Sequence, residues 1–67
     1  MLDIHDVVML KRDLVDIDNG LRGKVTLRKG ETGTIMSMRP QDFLIEFCDG
    51  ADTKALIVVK REDVEPA

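Results

Sequence analysis

The chain has no tryptophan, no tyrosine and only two phenylalanines. That removes most of the aromatic platforms on which small barrels stack single-stranded bases. One cysteine, Cys48, excludes an internal disulfide and any multi-cysteine zinc site. No apolar run approaches the roughly 20 residues that span a bilayer, so no membrane contact of that kind is expected. Positive charge is not in excess: ten Lys and Arg stand against thirteen Asp and Glu, a net charge of −3. A role built on phosphate neutralisation needs a concentrated basic surface, so nucleic acid is a disfavoured partner. The opening residues "MLDIHD" lack a basic stretch, so no signal peptide is expected. With a free thiol, that leads to a cytoplasmic expectation.

What is present describes a small folded domain. At 43% hydrophobic and 34% charged, the composition is that of an ordered soluble protein. The 67 residues make one domain, 1–67. A domain of this size buries only about 60% of the surface its unfolded chain exposes. Disulfides and cysteine-rich metal sites being excluded, a partner chain is the remaining source of buried area.

The pattern along the chain is of short strands and tight turns. Val7 to Leu10 is a short apolar cluster rich in β-branched residues and reads as a strand. A helix over Val7–Val15 is the rival, but it lacks a cap and runs into the turn signal "DIDNG". Val15 to Gly33 holds four of the five glycines and many charges, and reads as a long first loop, partly ordered, or as an irregular hairpin. "TGTIMSM", "FLIEFCD" and "TKALIVV" are the next strands. They are separated by turns at Arg39–Asp42, with proline in second place, and at Asp49–Asp52, with an Asp-Gly pair. "KREDVEPA" reads as one 3₁₀ turn and a short last strand. The whole reads as an all-β barrel of about five mostly antiparallel strands.

The segment "LRKGETGTIMSM", with Gly30 and Gly33 three residues apart, invites a phosphate-loop interpretation. A P-loop needs wider glycine spacing and a following Lys-Ser/Thr pair, and a dinucleotide fingerprint needs a third glycine and a helix. Neither condition is met, so the segment reads as a turn. Gly30 takes a positive φ, and Gly33 lets the backbone bend as the next strand begins.

Four stretches together resemble a known pattern. They are Asp6–Leu10, the turn Gly30–Ile35, the strand Phe43–Phe47 and the closing Glu62–Val64. This run resembles the SH3-like barrel, a fold shared by KOW modules and small photosynthetic subunits. It is more closely similar to a family of small bacterial proteins known as domain of unknown function 4926. The resemblance implies an SH3-like barrel and no chemistry, since that family has no established activity. The chain departs from the pattern by a longer first loop, with "GLRGKVTLR" as the extra length.

Few residues suggest chemistry. His5 has Asp3 and Asp6 near it, which would make at most a weak divalent-ion site. Cys48 lies between Glu46 and Asp49, which disfavour a thiolate. No catalytic residue, metal or cofactor is assigned. Among the basic residues, Lys24, Arg28 and Lys29 on the long loop are the phosphate contacts of an alternative, KOW-like nucleic-acid-binding function.

Strand alternation is the most informative feature. Val8, Leu10, Ile35, Phe43, Ile45, Phe47, Ala55, Ile57 and Val59 fall on one face and form a barrel interior. The opposite face carries Val7, Met9, Met36, Met38, Leu44, Leu56 and Val58 and is not polar. Unless the long loop folds over it, this face marks an interaction surface. The expected function is therefore a non-catalytic protein-binding module that associates with itself as a dimer or higher homo-oligomer, or with an unidentified protein.

Overall fold

The computed structural model describes residues 2–19 and 23–67, and the side chains of all of these but Asn19 and Asp49. The Asn-Gly turn read at residues 19 and 20 therefore falls, with Leu21 and Arg22, partly outside the described residues. Among the described residues the chain forms seven strands and one 3₁₀ turn. The strands are β1 (Val7–Leu10), β2 (Leu14–Asn19), β3 (Gly23–Leu27), β4 (Thr32–Met38), β5 (Asp42–Asp49), β6 (Asp52–Lys60) and β7 (Val64–Pro66), with the 3₁₀ turn over Arg61–Asp63. No helix of the described residues is long and apolar enough to cross a membrane.

Five strands form one antiparallel sheet in the order β6-β5-β4-β1-β7, and β2 pairs with β3 alone. The order follows from tight turns. Arg39 donates its N–H to the Asp42 carbonyl at 2.9 Å across the β4–β5 turn, and Gly50 takes φ +65° between β5 and β6. The helix considered over Val7–Val15 is not formed. Leu10 instead exchanges backbone hydrogen bonds with Glu31 and Gly30, 2.9 Å each, and the chain turns into β2.

The long first loop of the sequence reading is a hairpin, so there are seven strands where about five were expected. At its base Leu14 pairs with Leu27, and both sink into the core, 7% and 0% exposed. Burying two leucines stabilises by roughly 1.5–3 kcal/mol each, which fixes the hairpin on the sheet. Its irregularity is a bulge between Leu14 and Ile17, where Asp16 adopts φ +53° and its N–H lies 3.4 Å from Thr26 Oγ1. The hairpin and the sheet enclose one core without closing it into a continuous barrel, for β2 lies alongside β6 in a separate sheet.

The interior is as the alternation indicates. All nine expected residues are buried, joined by Leu14, Leu27 and Val64. One position departs. Ile35 pairs with Ile45, but Ser37 pairs with Leu44 and Met38 with Phe43, so Met36 is an extra residue in β4. The bulge reverses the alternation after it, and Met38 packs against the core instead of lying outside.

The glycines of the opening motif act differently from each other. Gly30 has φ +93°, as a turn glycine should. Gly33 is buried with no positive φ; a Cβ there would lie 2.6 Å from Ile45 Cγ2 and 3.0 Å from Phe47 Cδ1. It is required by close packing, not by a backbone bend.

Candidate functional site

The outward face of the five-stranded sheet carries the candidate interaction residues. Leu44 on β5 lies directly opposite Val58 on β6, and Leu56 is two residues from Val58 on the same face. Met36, at the β4 bulge, lies beyond Leu44 on the other side. Val58 is 47% exposed and Met36 42%, while Leu44 and Leu56 are half-buried by their neighbours. These four form one apolar patch.

Val7 and Met9 are set apart from it. The register places Leu56, Glu46, Thr34 and Val7 in one row across four strands. Glu46 accepts a 2.7 Å hydrogen bond from Thr53 Oγ1, and with Thr34 it forms a polar divide. Val7 is nevertheless 51% exposed. Met38 leaves the set, being turned inward by the bulge.

Ile4, 47% exposed, was not legible as a surface residue of this region. It sits in a turn held by side chains: Asp3 Oδ1 accepts the Ile4 N–H at 2.7 Å and Asp6 Oδ2 accepts the Asp3 N–H at 2.9 Å. His5 has φ +73° in that turn and donates its N–H to the Ile35 carbonyl at 2.7 Å. Asp3 and His5 therefore lie in and beside a turn before β1 and not on a strand, and both nearby carboxylates are already engaged by backbone. No group of three or more His, Cys, Asp and Glu among the described residues is placed to hold a metal ion. Cys48 is exposed and lines a depression of about 230 Å³ with Val7, Thr32, Gly33, Thr34 and Glu46. That lining does not include His5.

The three basic residues of the nucleic-acid alternative are not gathered. Lys24 lies opposite Asp18 on the hairpin. Arg28 is four residues further along, about 14 Å for an extended chain, and its Nη1 lies 3.6 Å from Asp13 Oδ2. Lys29 donates its backbone N–H to Asp13 Oδ1 at 2.8 Å. Glu31 bridges the same turn to β6, through Lys54 Nζ at 2.9 Å. Partial burial pushes Glu31 up, but hydrogen bonds from the Arg28 N–H and from Lys54 outweigh it and hold the carboxyl below its ordinary range.

Another set of charges comes together instead. Arg12, after β1, donates Nε to Asp63 Oδ1 and Nη2 to Asp63 Oδ2, both at 2.9 Å. Arg61 donates Nη2 to the Arg39 carbonyl at 2.9 Å, with its guanidinium 4.4 Å from the centre of the Phe43 ring. Arg39 Nε lies 3.0 Å from Asp42 Oδ1 without hydrogen-bond alignment. Lys60, opposite Asp42, lines a depression of about 540 Å³ with Gln41, Asp42, Arg61 and Glu62. The Arg12 hydrogen bonds hold the Asp63 carboxyl below its ordinary range, and the charges of Arg12, Lys60 and Lys11 reinforce them.

The chain matches no family model, no curated protein and no solved structure in comparisons with each.

Proposed function

We propose that the chain is a non-catalytic interaction module, an SH3-like barrel of the kind seen in the domain of unknown function 4926 family, and that it associates with a second copy of itself. One observation carries this: Met36, Leu44, Leu56 and Val58 form an apolar patch on a sheet face that the hairpin does not cover, because the hairpin turns Leu14 and Leu27 to the opposite, inner side. Covering such a patch removes a few hundred Å² of apolar surface from water, at about 25 cal/mol per Å². The gross gain is several kcal/mol, against which stands the entropy of association. A small core gains most from that addition. The reading involves no cofactor and a cytoplasmic setting.

Light scattering across a concentration series tests it. The unaltered chain should show a mass above that of the monomer, with little dependence on salt. Leu56→Lys, which places a charge in the patch, should return it to monomer with the fold intact by circular dichroism. An unaltered chain that stays monomeric at high concentration would refute self-association.

A further inference from the structure

Five of the ten cationic side chains meet at one end of the molecule, around the 3₁₀ turn, although the chain as a whole is acidic. Three separate segments bring them there. Lys11 and Arg12 follow β1, Arg39 precedes β5, and Lys60 and Arg61 end β6. Backbone hydrogen bonds hold the segments together: Lys11 N–H to the Asp63 carbonyl at 2.8 Å, and Arg61 N–H to the Gln41 carbonyl at 3.3 Å. Lys60 links the two sides, since it lines one depression with Arg61 and another, of about 150 Å³, with Arg12.

Three carboxylates at this end, Asp42, Glu62 and Asp63, stand against the five cations and leave positive charge in excess; Glu62 lines the larger depression with Lys60 and Arg61 without pairing to either. Asp63 is occupied by Arg12, and Asp42 by Arg39. Asp13, next to Arg12, turns instead to Lys29 and Arg28. Among the described residues Lys11, Lys60 and Arg61 have no carboxylate within ion-pair distance. Arg61 is also fixed in place. It lies against Phe43 and gives hydrogen bonds to one carbonyl from Nε and Nη2, which leaves further N–H donors of the guanidinium for a ligand.

We propose that this end of the domain binds phosphate groups, with Arg61 as the fixed donor and the exposed Lys60 and Lys11 as point charges beside it. Phosphate suits the set better than a lone carboxylate, because an excess of positive charge spread over several cations favours an anion of more than one charge. The groups come either from a small phosphate compound or from the backbone of a single nucleic-acid strand. With no exposed aromatic residue for stacking, a strand would be held by its phosphates and not read by its bases. The site borders the apolar patch, since Lys60 shares the smaller depression with Val58, but its donors Lys11, Lys60 and Arg61 are not patch residues and the proposal does not rest on self-association.

Two probes test it at low salt: pyrophosphate, followed by amide shifts in NMR, and a labelled single-stranded oligonucleotide, followed by fluorescence anisotropy. Pyrophosphate should shift the amides of Lys60, Arg61 and Glu62. The double change Lys11→Glu with Lys60→Glu should weaken binding at least about ten-fold, each cation–phosphate contact being an electrostatic contribution. Lys24→Glu on the hairpin, equal in charge change per residue, should leave it within about two-fold. Much tighter binding of the oligonucleotide, with a salt slope of about −2 for three neutralised phosphates, assigns the strand. Affinity no better than that for pyrophosphate assigns the small compound. Absence of binding by both probes overturns the proposal, and so does equal weakening by Lys24→Glu. Circular dichroism on each variant separates lost binding from lost fold.

Discussion

Arg12 and Asp63, fifty-one residues apart in sequence, share two parallel hydrogen bonds and tie the start of the hairpin to the last turn of the chain. The Asp63 side chain is nearly buried while that of Arg12 is mostly exposed, so the carboxylate depends on its partner more than the guanidinium does. The sign of the pH effect follows. A carboxyl whose folded pKa lies below its unfolded value of about 3.9 contributes stability above that value and loses it as pH falls through the folded pKa. The melting temperature should therefore hold from neutral pH down to mildly acidic solution and then drop. Asp63→Asn should lower the neutral value and flatten the acid limb. Arg12→Ala should also lower the neutral value, and the remaining Asp63 should titrate closer to its unfolded pKa. Melting curves over a pH series check all three, and an acid limb unchanged in Asp63→Asn would remove this pair from the explanation.

Gly33 gives a sharper test of packing. In Gly33→Ala the new methyl meets Ile45 Cγ2 and the Glu46 carbonyl oxygen, at 2.6 and 3.0 Å before relaxation. Overpacking of this kind costs about 1–3 kcal/mol, and urea titration should read a loss in that range. Ile45→Leu moves the branch away from Cβ and removes Cγ2. The double variant should lose less than the sum of the two single ones, because contacting residues do not add.

Asp16 tests the bulge of the hairpin. Its φ of +53° is a region that glycine enters freely and β-branched residues avoid. Asp16→Val should destabilise by about 1–2 kcal/mol, and Asp16→Gly should be more stable than Asp16→Val by a similar margin. Equal stability of the valine and glycine variants would mean that the bulge rearranges on substitution.

Leu56 and Ile57 are adjacent and face opposite ways, so lysine at each position separates surface from core. Ile57 is 4% exposed, and a charge there has no partner. Ile57→Lys should abolish the cooperative melt, while Leu56→Lys should keep it with a shift of a few degrees at most. Loss of the fold in both would place Leu56 in the core and undo the outward patch.

Much of this architecture is legible in the chain because two-residue alternation is a local property. Phe43, Ile45 and Phe47 declare their face without reference to any other strand. The exceptions are also local in cause but silent in sequence. Nothing in "TIMSM" marks Met36 as an extra residue, so Met38 reads as an outward side chain when it is an inward one. The hairpin is obscured because Asp16 stands where a glycine would have signalled the bulge. Gly33 reads as a place where the backbone bends, whereas the demand for a glycine there comes from close packing against the next strand. The cationic end is hidden most deeply: Lys11, Arg39 and Lys60 are far apart in the chain and meet only through strand order.

The two edges of the five-stranded sheet have a consequence for how copies of this chain can accumulate. At one edge β7 is three residues long and ends in Pro66. At the other, β6 carries an extra residue, Lys54, between Thr53 and Ala55, and β2 lies beside its second half, where Leu14 and Ile17 meet Ile57 to Lys60. Short length, proline, a bulge and a covering strand are each features that stop a neighbouring molecule from adding hydrogen-bonded strands. A fibre needs a bare edge that is renewed with every molecule added. Among the described residues the five-stranded sheet offers none of full length, so any contact between copies through this sheet is directed to side chains on its face, where a symmetric pair would end growth once formed.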